Sequence, residues 1–190
     1  DNSDILICQR PAVVAALQSV DSNGGTLEGF CLARGETDSI ARLHPAIKGV
    51  WGAQTSGANI VSFNLAAFNS YGKDQGANAP IGERAAFAYT TALNHLLRRG
   101  SSQRLQVGDA STVFWTTEPS SFADDFAAMF GAVGEDDPDC GTAAVANLLT
   151  ATQTGVYIGN DAETRFCVLG LAPNAARIAV RFWQVGPVKD

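Results

Sequence analysis

The chain has 190 residues, 46% of them hydrophobic and only 17% charged, and a formal net charge of −6. That length suits one domain or one piece of a larger subunit, and the composition excludes wholesale disorder. The small charged share fits a body that leans part of its surface on partners, while the acidic total, taken whole, argues against a nucleic-acid binder.

Residues 11–20 (PAVVAALQSV) open on proline and run apolar, which predicts a short helix. Residues 22–25 are a turn by composition. Residues 26–34 alternate loosely and predict a strand, with a turn at 35–38 and a second strand at 39–43. Residues 49–58 (GVWGAQTSGA) read as loop, 59–64 (NIVSFN) as a strand, and 73–80 as an exposed loop rich in Gly, Asn and Asp. The clearest element is a helix over 83–99, with Pro80 upstream and Gly100 at its end. At about 100° per residue its apolar face gathers Ala85, Tyr89, Ala92, Leu93 and Leu96. A second face gathers Arg84, Thr91, His95 and Arg98, which reads equally as a cationic stripe or as a solvated face with arginine at the C-terminal dipole.

Farther on, residues 112–116 form a β-rich core within 107–117. Residues 121–130 predict an amphipathic helix with Phe122, Phe126 and Phe130 in line. Residues 134–139 are an acidic loop and 141–152 a helix of small residues. Residues 164–171 and 177–185 form a hairpin across 172–176, with Pro173 and Asn174 as turn residues. Strict alternation in its second strand puts Ile178, Val180 and Phe182 on one face and Arg177, Arg181 and Trp183 on the other. Arginines beside an aromatic suit phosphate contact with base stacking, or equally a protein interface. The fold class is α+β, a mostly antiparallel sheet with hairpins packed by three or four helices.

The net charge hides three blocks. Residues 1–40 hold two basic and six acidic side chains, 41–104 hold seven and two, and 105–190 hold four and eleven. Screening acts over about 8 Å at physiological ionic strength, so a polyanion meets the positive middle block rather than the total.

Four cysteines (Cys8, Cys31, Cys140, Cys167) lie far apart, without the close pairs a zinc site needs, and read as buried free thiols. No apolar run reaches the roughly 18–20 residues of a membrane span, and there is no signal peptide, so the expectation is a cytoplasmic protein. His44 and His95 are the only histidines, and His44-Pro45 reads as a turn with a hydrogen-bonded imidazole. The run 49–57 lacks the Gly-Lys-Ser/Thr ending of a phosphate-binding loop, and Ser56 lacks a nucleophile elbow. Asp136, Asp137 and Asp139 lack calcium-loop spacing. The expectation is no catalytic residue, no metal and no cofactor.

The strings RLHPAIKGVWGAQTSGANIVSFNLAAFNSYGKDQGANAP, ERAAFAYTTALNHLL, VGDASTVFW and VLGLAPNAARIAVRFW carry a long, specific resemblance. They resemble the large subunit of the type I-C CRISPR surveillance complex (Cascade), the Csd family. Full members are longer, so the resemblance implies a segment from their more N-terminal half. It further implies a non-enzymatic role in antiviral defence: helping to recognise the protospacer-adjacent motif in target double-stranded DNA and stabilising the R-loop, beside other Cascade subunits and CRISPR RNA. In such systems pairing reads sequence while protein reads a short duplex motif and shape. The alternative is a scaffold segment that docks subunits without touching DNA.

Charge and loop placement choose the candidate nucleic-acid contacts. Lys48 and Lys73 are loop cations, Gln54, Asn64 and Asn78 are polar contacts, Arg84 and Arg98 lie on the helix face, and Arg177 and Arg181 lie on the last strand.

Overall fold

A computed structural model of the protein describes residues 10–21, 27–129 and 164–188. Its chain divides into two compact units, Asp1–Leu43 with Phe63–Ala86, and His44–Ser62 with Phe87–Asp190. The elements are those of an α+β fold, with three α-helices among the described residues and antiparallel sheets of two and four strands.

The first unit holds helix α1 (Pro11–Asp21) and a small hairpin of β1 (Glu28–Phe30) and β2 (Thr37–Ser39). The strands are shorter than the sequence suggests, and the second falls earlier. The Cys31 amide donates to the Glu36 carbonyl at 2.8 Å and the Gly35 amide to the Cys31 carbonyl, so the chain turns at 31–36 rather than at 35–38. Two 3-10 turns, Ala66–Phe68 and Gln75–Asn78, shape the long loop that follows. That loop is fastened at Gly76, whose amide donates to the Arg42 carbonyl at 3.0 Å. A Cβ at Gly76 would lie 2.0 Å from the Ala41 carbonyl oxygen, so this close backbone approach admits only glycine.

Helix α2 (Glu83–Leu96) begins where the sequence places it but ends earlier than residue 99. The chain turns over Leu97–Gly100, with Gly100 at φ 78°. In the second unit Leu93 and Leu97 are buried, with Tyr89 and Leu96 packed alongside. Ala92 is exposed, so the apolar stripe is narrower than expected.

The second unit is built on a sheet ordered β3-β4-β5-β6, from β3 (Arg104–Val107), β4 (Ala110–Thr116), β5 (Arg165–Asn174) and β6 (Arg177–Pro187). One face packs Val113, Leu169, Leu171 and Ile178 against Ile47 and Leu97. The other packs Phe114 with Ala123, Phe126 and Ala127 of helix α3 (Phe122–Met129), which follows the predicted phenylalanine stripe. Burying each large apolar side chain contributes about 1.5–3 kcal/mol, so these two layers are what hold the sheet in place.

Four details differ from the sequence reading. Strand β3 was not anticipated; it precedes β4 across a two-residue turn at Gly108 and Asp109. Residues 59–64 form no strand, making one isolated bridge between Asn59 and Arg177, and the Asn59 side-chain Nδ2 donates to the His44 carbonyl at 2.7 Å. The β5–β6 turn is Ala175 and Ala176, not Pro173 and Asn174, which pair with Ile178 and Arg177. Pro173 is tolerated because β5 outruns β4 beyond Leu171, so its missing N–H interrupts no ladder there.

The last difference matters most for the site. Leu171 pairs with Val180 but Gly170 pairs with Phe182, so Arg181 is an extra, bulged residue. The bulge reverses the alternation beyond it. Val180 and Trp183 share a face, and the Phe182 ring lies over Gly170 on the other. The expected face of Arg177, Arg181 and Trp183 does not exist.

The helix predicted at 141–152, the acidic loop at 134–139, Phe130, Cys8 and Cys140 lie outside the described residues.

Candidate nucleic-acid interface

The candidate residues fall into both units. In the first, Lys73 sits in the loop between the two 3-10 turns, and its side chain is exposed. The loop is clamped by one amide. Asn78 Oδ1 accepts from the Ser70 amide at 3.1 Å, and its Nδ2 donates to the Lys73 carbonyl at 3.3 Å and the Gln75 carbonyl at 3.1 Å. Asn69 Nδ2 donates to Asp74 Oδ1 at 2.9 Å. Asn78 therefore organises the loop, with its hydrogen-bonding capacity largely engaged inside it. Asn64 and Arg84 are both exposed, Arg84 in the first turn of α2.

At the loop tip Tyr71 is 98% exposed with φ 53°, and Gly72 follows at φ 68°. A bulky residue in the left-handed region is strained, and here the Asn78 clamp holds the flanking chain that imposes it. Beside the loop lies an open cavity of about 870 Å³ bordered by Phe30, Leu32, Ile40, Pro80, Arg42 and Lys73. Arg42 was not among the sequence candidates. Its only signal was membership of the positive middle block. Among the described residues the ion pairs are Arg34–Glu36 and Arg181–Asp109, so Arg42 and Lys73 make none there, while Glu28, Asp74 and Glu83 border the same cavity.

In the second unit Lys48 is held by its backbone. Its amide donates to Asn94 Oδ1 at 2.8 Å, and Asn94 Nδ2 donates to the Ala46 carbonyl at 3.1 Å, with the Lys48 side chain left exposed. The next residue, Gly49, has φ 88°, and a Cβ there would lie 2.6 Å from the Leu97 carbonyl oxygen. Gln54 is exposed in a turn closed by the Gly57 amide donating to its carbonyl.

Several arginines of this unit are otherwise occupied. Arg98 donates to the His95 ring at 2.8 Å and to the His95 carbonyl at 3.3 Å, and Arg104 donates to the Leu97 carbonyl at 3.0 Å. Both stabilise the C-terminal end of α2. The guanidinium of Arg181 pairs with Asp109 at 2.7 Å, and Arg177 is half-buried beside the Asn59 bridge. Arg98, Arg104 and Arg181 thus have their guanidinium groups engaged within the fold, whereas Arg84 is exposed.

His44 is buried, and its Nδ1 lies 2.6 Å from the Tyr89 hydroxyl. Burial lowers the His44 pKa and pushes Tyr89 up to about 12. Cys31 and Cys167 are buried free thiols. Cys31 is lowered by the Gly82 amide donating to its Sγ at 3.1 Å, and burial raises Cys167. No cluster of three metal-ligating side chains exists among the described residues, and no described helix is long and apolar enough to cross a membrane.

The family of CRISPR-associated proteins described as Cas_Csd1 matches residues 1–190, and the chain belongs to that family. No curated protein matches it.

Proposed function

We propose that this chain is part of the non-catalytic large subunit of a type I-C CRISPR RNA-guided surveillance complex. It helps to recognise the protospacer-adjacent motif in target double-stranded DNA and steadies the R-loop in antiviral defence, in the cytoplasm, beside other Cascade subunits and CRISPR RNA. The family match over the whole chain supports the assignment to CRISPR systems. The observation that carries the DNA contact is the pairing state of the cations. Lys48 and Lys73 project from loops whose backbones are fixed by Asn94 and Asn78, so little order is lost when a phosphate is met.

Anisotropy of a labelled duplex bearing the adjacent motif, titrated with the 190-residue chain over about 50–200 mM salt, tests this. Each of Lys48→Ala and Lys73→Ala lowers the slope of log affinity against log salt by about 0.9. Unchanged affinity and slope in both variants contradict the reading.

One observation favours the scaffold alternative. Val180, Trp183 and Val185 are exposed on β6, the edge strand of the sheet, as a protein-facing surface would be. Under that alternative the lysine variants bind as wild type, and Trp183→Ser impairs subunit assembly instead.

A further inference from the structure

We propose that the cavity of the first unit is a pocket for a single unstacked nucleobase carrying an exocyclic amino group. This deepens the DNA-binding reading and rests on it. The cavity has the size of a small-molecule site, and its surface is mainly apolar, from Phe30, Leu32, Ile40 and Pro80. Phe30 is 59% exposed, so its ring presents an open face on which a base stacks.

The charges around this floor are of two kinds. Arg42 and Lys73 are free of ion pairs among the described residues, and both backbones are pinned, Arg42 through its carbonyl to the Gly76 amide and Lys73 through its carbonyl to Asn78. They suit the phosphates on either side of an extruded base. Glu28, Asp74 and Glu83 also border the cavity, are exposed, and have no ion pair among the described residues, Asp74 accepting from the Asn69 side chain. Carboxylates repel phosphate but accept hydrogen bonds from amino groups on base edges, as in readout of the cytosine N4 amine. Apolar lining, two cations and carboxylate acceptors together match one nucleotide. A peptide would match the floor but would leave the two cations without a defined partner. Cytosine, adenine and guanine carry an exocyclic amine, as 2-aminopurine does at C2, and thymine does not.

The test uses the 190-residue chain with a short oligothymidine carrying one central 2-aminopurine and a dye at one end. Anisotropy of the dye reports binding, and 2-aminopurine emission reports the environment of that base. Binding by wild type is expected to change the emission, and the 2-aminopurine strand should bind about tenfold tighter than all-thymine. Phe30→Ala should abolish the emission change and the preference, while Arg42→Gln should lower the salt slope by about 0.7. If the strand binds but Phe30→Ala alters neither emission nor preference, the cavity has another occupant, such as a partner's apolar side chain. The pocket then falls while the DNA reading stands. If no DNA binds in anisotropy, both fall together.

Discussion

The loop carrying Lys73 and the strand carrying Arg181 hold positive charge in opposite ways. In the first, side-chain amides tie down the backbone and the ammonium makes no ion pair among the described residues. In the second, the guanidinium itself is the tie, closing on Asp109 across an exposed ion pair. Arg98 and Arg104 behave like Arg181, each closing on a carbonyl near the end of α2. Counting cations along the chain finds both kinds. Only the pairing state separates those available to a ligand from those that serve the fold.

The sharpest way to break that contrast is at Gly76. Gly76→Ala forces a Cβ onto the Ala41 carbonyl, and with no flexible atom to yield the expected cost to the first unit is about 3 kcal/mol. Urea unfolding followed by circular dichroism should show it, and the loop should lose its hold on Lys73.

Asn78→Ala is milder. It removes the acceptor for the Ser70 amide and the donor to two carbonyls, for about 1–2 kcal/mol, and the Ser70 amide should exchange hydrogen faster.

A pH series distinguishes the two ways of holding a loop. In the second unit His44 is buried against Tyr89 and its pKa is lowered, so the unfolded state takes up a proton that the folded state resists. Stability should therefore fall as pH drops below about 6.5, by at most about 1.4 kcal/mol per pH unit, and level off below the folded pKa. The slope should be shallower in His44→Gln.

The smallest effect belongs to Arg181→Ala. Its ion pair is exposed on both sides, so stability should change by less than about 1 kcal/mol in the same unfolding experiment.

Much of the fold was legible because it rests on strong local signals. Helix formers after Pro80 mark α2, and the phenylalanine spacing marks α3. The β5–β6 hairpin was legible as a pair of strands but not in its detail. Period-2 alternation assumes one residue opposite one, and the bulge at Arg181 breaks that rule without any unusual residue to announce it. Strand β3 was readable in hindsight from Val107-Gly108-Asp109-Ala110, a glycine-first hairpin turn. For the site, the positive block was visible but its use was not. An arginine's partner across 72 residues, as Asp109 is for Arg181, leaves no trace in local sequence. Arg42 was missed for the same reason, since its place beside the cavity depends on the Gly76 contact.

Under the proposed function, pairing state rather than charge selects the DNA contacts. The most direct test is the salt dependence of duplex binding for Lys73→Ala beside Arg181→Ala under identical conditions. The slope should fall by about 0.9 for Lys73→Ala and stay unchanged for Arg181→Ala. Equal reductions in the two variants, or a loss confined to Arg181→Ala, would contradict it.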